Sequence, residues 1–470
     1  MGTINSAFSI LSQALDADQS ALNVTANNVA NANTPGYTEE TPDWQQNQPI
    51  EINGVSIGQG VSETGATSQR DRVLNERLDQ QQQLESASGV RLTSLNTVQA
   101  LFTPDSGSST SAAGDIGSDI TNFFDSFSSL EANPTDNALR QDVLSTASTL
   151  AGDVSNAAAS LNSQSAALDQ EAAGVASQVN SLTSALAQLN LEIQSASPNA
   201  DAGTLEDQRQ QDLSQLSQLI GINQITTENN GLSITTTSGQ LLVSEGQSFQ
   251  LTTGPVNGLT NFFVGGVNIT SQLESGGGQL GGYLTARDQD IPNVLSSLDQ
   301  LAYNVSTQVN TLNNAGTDLL GNNGNAGDIF LEPTQVAGSA EAMTVVMTNP
   351  DNIAAAGLGA GTGDNTNAVA LAALANQAIV NGETPSNYYS NFVTTLGSTV
   401  AQVQTENTAQ AASVTQLQTQ SNALSSVNLN DEASTLTVFE RSYQAASQAF
   451  TILNTIMAST LNLGEQATVS

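Results

Sequence analysis

The sequence predicts a mainly α protein with an inserted β domain: terminal helices forming a coiled-coil-like domain, a long-helix bundle, and a small antiparallel β unit. Three observations carry this reading. Each end of the chain bears a heptad seam of apolar residues. Long stretches between the ends repeat Leu and Val at spacings of three and four with hardly a Pro. One stretch, Gly221 to Ser275, breaks instead into short alternating runs split by Gly-containing turns.

From Thr3 to Asn33 there is no Gly or Pro, and Ile4, Phe8, Leu11, Leu15, Asp18, Leu22, Thr25 and Val29 alternate at four and three, six of the eight apolar. The turn Asn33-Thr34-Pro35-Gly36-Tyr37 ends that helix. From Asp431 to Leu463 the pattern returns at Leu436, Phe439, Tyr443, Ala446, Phe450, Leu453, Met457 and Thr460, and Gly464 supplies the stop. A two-column seam is too narrow to be a core by itself. The expected assembly interface is therefore Ile4, Phe8, Leu11, Leu15, Leu22 and Val29 at one end, and Leu436, Phe439, Tyr443, Phe450, Leu453 and Met457 at the other.

Between the seams, Ser68 to Ala100 reads as a helix whose Arg70, Arg72, Arg77 and Arg91 alternate with Asp71, Glu76, Asp79 and Glu85, the pattern of a solvated face. Asp136 to Gln194 reads as one or two long helices, and Leu205 to Leu219, Asp288 to Leu312 and Asn387 to Leu424 as further helices. The β unit has Leu232/Ile234, Leu241/Val243, Phe249/Leu251 and Val267/Ile269 split by Asn230-Gly231, Ser238-Gly239, Glu245-Gly246 and Gly265-Gly266. Gly316 to Gly327 and Gly357 to Gly363 read as loops, with Met343 to Met347 a strand between them. The expected domains are residues 1–40 with 430–470 (terminal helical assembly domain), 41–220 with 278–429 (long-helix bundle), and 221–277 (inserted outer β domain).

Composition closes most routes to chemistry. With 470 residues there is ample length for a core. Eight basic residues, all Arg, stand against 44 acidic ones, a net charge of −36 that repels phosphate backbones and anionic lipid, so neither nucleic acid nor membrane is expected as a partner. There is no His, Cys or Lys, hence no imidazole base, thiol nucleophile, Cys-based zinc site, Schiff base or P-loop lysine. Only carboxylate chemistry stays open. The pairs Glu39-Glu40, Glu206-Asp207, Asp288 with Asp290, and Asp431-Glu432 are what 44 acidic residues produce by chance. GLGAGTG at Gly357 to Gly363 lacks the dinucleotide-binding spacing. The expectation is no catalytic residue, no metal and no cofactor. No Sec-type signal is read at the N-terminus, and the most apolar run, Ala368 to Val380, is short of the ~20 residues a spanning helix needs.

Ala26 to Thr38 reads ANNVANANTPGYT, which closely resembles the N-terminal signature of the bacterial flagellar axial proteins of rod, hook and hook-associated type. NPTDNALRQDVLSTASTLA (Asn133 to Ala151), EDQRQQDLSQLSQLIGINQ (Glu206 to Gln224), GGYLTARDQDIPNVLSSLDQLAYNVSTQVN (Gly281 to Asn310) and NLNDEASTLTVFERSYQAASQAFTILNTI (Asn428 to Ile456) are similar to segments of the hook-associated protein 1 family, which forms the first hook–filament junction. The resemblance runs nearly end to end. It implies a non-enzymatic structural component of the flagellum, exported unfolded through the flagellar type III apparatus and assembled outside the cell as a homo-oligomeric ring. The implied partners are the hook protein, the second hook–filament junction protein, and an export chaperone that covers the C-terminal helix. The alternatives are another axial protein, a hook or rod subunit, or a secreted carboxylate-dependent glycan hydrolase.

Overall fold

A computed structural model describes residues 2–52, 55–103, 115–196, 201–228 and 230–467. The chain opens with α1 (Gly2–Asn31), then four strands, β1 (Glu40–Gln46), β2 (Ile50–Ile52), β3 (Val55–Ile57) and β4 (Val61–Ser68). Helices α2 (Arg72–Ala100), α3 (Ile116–Ala132), α4 (Asn137–Ala196) and α5 (Thr204–Leu219) follow. Next come β5 (Ile222–Thr226), β6 (Leu232–Thr236), β7 (Leu241–Ser244), β8 (Gln247–Ser248), β9 (Leu251–Val256), β10 (Leu259–Val264) and β11 (Val267–Asn268). The chain returns through α6 (Thr270–Glu274), α7 (Gly278–Thr285), a π-helical turn at Ala286–Asp290, α8 (Ile291–Ala315), α9 (Ser339–Ala342) and α10 (Thr366–Ala373). It ends with α11 (Pro385–Ser425) and α12 (Leu429–Ala467).

The long Pro-free stretch is one helix, α4, of 60 residues and about 90 Å at 1.5 Å per residue. Its first half lies in the bundle core: Val143, Leu150, Val154 and Leu161 pack with Phe123, Phe124 and Phe127 of α3 and with Leu298 and Val305 of α8. Its second half, from Ala172 to Ala187, lies in a separate core with Leu213 and Leu216 of α5, Ile234, Val243 and Phe262. One rigid helix thus carries both units. The outer strands form two antiparallel sheets, in the order β5-β6-β7-β8 and β11-β10-β9. The turn at Gly265-Gly266 is as expected, with φ of 58° and 81°, and Asn257-Gly258 makes a second two-residue turn with φ of 54° and 83°. Where the chain enters and leaves this unit, Gly221 lies so close to the Gly276 carbonyl that a Cβ would sit 1.7 Å from its oxygen. Only glycine fits there.

The structure departs from the sequence reading in five places. Strands β1 to β4, which fall in the 41–220 stretch expected in the bundle save for Glu40, pair as antiparallel ribbons, β1 on β4 and β2 on β3, and β1 and β4 pack on α1. The outer β unit does not close on 221–277 alone, because it shares its core with α4, α5 and α7. Helix α3, absent from the expected elements, supplies three deeply buried aromatics of the bundle, Phe123, Phe124 and Phe127. Met343 to Met347 is an isolated bridge between Val345 and Phe330 rather than a strand. Gly464 does not stop α12, which continues to Ala467. Among the described residues no helix is long and apolar enough to cross a membrane.

Candidate assembly interface

The two terminal seams find each other. Helices α1 and α12 run antiparallel: Phe8 meets Phe450 with ring centroids 4.3 Å apart, and Asn28 meets Glu432. Ile4, Phe8, Leu11, Leu15 and Leu22 are half-buried, as are Leu436, Phe439, Phe450, Leu453 and Met457. Phe439 takes a different partner, Trp44 of β1, edge to face at 5.7 Å. Val29 is exposed. Tyr443 is also exposed, at 38%.

Beside the expected seam, of which Thr25 is buried, α1 buries a second column. Ala21 and Asn28 are buried, with Ala7 and Ala14 half-buried a heptad at a time before them. The cause is that α1 is touched on two sides. The column Ser6, Gln13 and Ser20 faces the ribbon, where Gln59 donates to Ser6 Oγ at 3.3 Å, the Asn47 and Gln13 amides meet at 3.0 Å, and Ser20 Oγ bonds Glu63. The column Phe8, Leu15 and Leu22 faces α12. Small residues between the two columns let both neighbours approach. A search for large apolar side chains passes over alanines; their heptad spacing was the available signal.

Asn28 organises the polar end of this joint. Its Nδ2 donates to the Glu40 carbonyl (2.8 Å) and to Glu432 Oε1 (2.9 Å), while its Oδ1 accepts from Tyr37 Oη (2.8 Å) and the Glu40 N–H (3.1 Å). All four hydrogen-bonding positions of the amide are filled. Burial raises Tyr37 above the usual phenol range, helped by the nearby Glu40, Asp207 and Glu432 carboxylates. Burial likewise raises Glu40, with Asp207 and Asp201 adding to it, and raises Glu432. The turn motif itself closes by Thr34 N–H to Asn31 O (2.8 Å) and Tyr37 N–H to Thr34 O (3.2 Å), with Gly36 at φ 81°. Asn33, Thr34, Pro35 and Gly36 are exposed; Tyr37 alone reaches inward.

A charged brace joins the ribbon to the bundle. Arg70 holds Glu206 at 2.6 Å and Asp207 at 2.5 Å, and Asp207 also accepts the Thr38 N–H at 3.0 Å. Arg72 adds a contact to Glu206 at 2.9 Å, and Arg91 holds Asp290 at 2.8 and 2.9 Å. The arginines read as a solvated face are, Arg77 excepted, contacts across the fold. Their partners lie more than a hundred residues away in sequence, beyond any local pattern.

A cavity of about 440 Å³ opens between α2, α8 and α11 with Asp290 and Glu383 on its rim. Both carboxylates are engaged, Asp290 by Arg91 and Glu383 by the Asn391 amide at 2.7 Å. Among the described residues no three or more acidic side chains are grouped to hold a metal ion.

Two family models match the chain. The flagellar hook-associated protein FlgK helical domain covers residues 105–330, and the flagella basal body rod protein covers residues 8–38, the α1 seam and its turn. Flagellar hook-associated protein 1 of Escherichia coli K12 is 26% identical, covering 96% of this chain and 98% of the relative. The protein of the same name from Bacillus subtilis 168 is 26% identical over 96% of each. The solved flagellar hook junction protein FlgK from Burkholderia pseudomallei shares the fold, with a TM-score of 0.65 at 20% identity over 75% of this chain and all of that one. The chain is thus similar from end to end to flagellar hook-associated protein 1, with the rod-type signature on α1 and the helical-domain model across α3 to α8.

Proposed function

We propose that this chain is a structural, non-enzymatic component of the bacterial flagellum that joins hook to filament, assembling as a homo-oligomeric ring at the hook tip. The observation that carries this reading is the back of α12. With α1 on one side, α12 turns Val438, Ile452 and Ile456 to solvent at 61%, 61% and 47% exposure, a row that further protein would cover. The hook protein and the second hook–filament junction protein are its proposed neighbours. Before assembly an export chaperone covers the C-terminal helix, and the chain passes unfolded through the flagellar type III apparatus to the outside of the cell. The absence of Cys suits such threading, since no disulfide can form on the way. Immunogold labelling of isolated flagella tests this: label confined to the hook–filament boundary is expected, and label along the hook or rod would overturn it.

A further inference from the structure

Six of the eight arginines are spent inside the chain. Arg70, Arg72, Arg91, Arg209 and Arg287 pair with carboxylates, and Arg140 donates to the carbonyls of Pro134, Pro350 and Ile353. Among the described residues Arg77 on α2 and Arg441 on α12 make no ion pair or hydrogen bond, and both are exposed. Arg441 is the single cation of the α1, ribbon and α12 unit. It lies on the side of α12 turned away from α1, in the same row as Val438, Ala445, Ile452 and Ile456.

The antiparallel pairing fixes what stands level with it. Phe8 opposite Phe450 and Asn28 opposite Glu432 place Arg441 level with residue 18 of α1. Asp16 lies within about 3 Å of that height along the helix. Asp16 is exposed on the uncovered polar face of α1, with Ser9 and Asn23 a heptad to either side, and it has no partner.

We propose that Arg441 of one copy pairs with Asp16 of the next. This rests on the ring reading above. Each copy offers the cation on one side of the helix pair and the carboxylate on another, so in a ring each neighbour can be met head to tail through this pair. Between copies of net charge −36 a pair through Arg441 is attractive, and Asp16, the exposed carboxylate of α1 near its height, also fixes the axial register of neighbours.

Complementation of a strain lacking this gene tests the pair, by counting filaments per cell. Arg441→Glu and Asp16→Arg should each cut the count about tenfold, because the repulsion recurs at every contact around the ring. The double variant should return it to within about twofold of wild type, as the swapped charges attract again. Melting of each purified variant should match wild type, since neither side chain has a partner in the monomer. A single variant with normal filaments, a double variant no better than the singles, or a single variant that melts early would each overturn the pair. The parent strain reads the underlying function separately: filaments on cells lacking the gene would sink the junction reading, whereas filaments that return with wild type but ignore the charge swap would sink only the pair.

Discussion

Asn28 and Glu432 lie 404 residues apart in sequence and 2.9 Å apart in space, amide to carboxylate, in a buried setting. That bond ties the two ends of the chain together beside the turn that leads from α1 into the ribbon. Replacing Asn28 by Leu strands the Tyr37 hydroxyl and the Glu40 N–H and should cost about 3 kcal/mol. Asn28→Asp should cost more at neutral pH, because it sets a carboxylate against Glu432. Hydrogen exchange of α1 and α12 reads both: their protection should fall together while that of the outer strands holds.

Phe450 and Ile452 are two residues apart on opposite faces of α12, and they should fail differently. Phe450 packs on Phe8, so Phe450→Ser should loosen the free monomer by about 1–3 kcal/mol as well as impair assembly. Ile452 faces solvent, so Ile452→Gln should leave monomer melting unchanged and still remove filaments. Equal melting losses in both variants would place the two faces inside one subunit.

The helices and the outer sheets were legible because each has a local signature: a heptad for α1 and α12, an unbroken three-four period for α4, glycine turns for the outer strands. The ribbon was not. β1 and β4 carry Pro42, Gln45, Gln46 and Glu63 and show no run of alternating apolar residues, and the ribbon is held to α1 by amides and hydroxyls. Ile116, Ile120, Phe123, Phe127 and Leu130 did signal α3, at helical spacing within only 17 residues. Of the candidate site, the seam residues were readable from spacing. The roles of Asn28, Arg70 and Asp207 were not, since their partners are set by the tertiary fold.

Arg70 lies almost wholly buried between Glu206 and Asp207. Arg70→Ala takes the ion pair from buried Asp207 and one of three arginines from buried Glu206, and should destabilise the chain by ~3–5 kcal/mol. A denaturant titration of the purified variant measures it, and a loss below about 1 kcal/mol would mean that the brace behaves as a surface pair.

Burial pushes Asp79 up to about 7, with Glu76 adding to the rise, although the Gln210 and Gln224 amides donate to its Oδ2 at 3.0 and 2.8 Å. A folded pKa above the unfolded one means that folding binds the proton. The stability it brings is whole below the ordinary carboxylate pKa and is lost as pH rises toward 7. Over that window Asp79 should remove up to ~1.4 kcal/mol per pH unit. Subtracting Asp79→Asn melts from wild-type melts between pH 4 and 8 should reveal that slope, and a flat difference would contradict it.

Electron microscopy of cells lacking this gene, with the culture medium assayed for flagellin, tests the junction role most directly. Assembled hooks without filaments, and flagellin lost to the medium, are the expected result. Filaments on intact hooks, or loss of the hooks themselves, would contradict it.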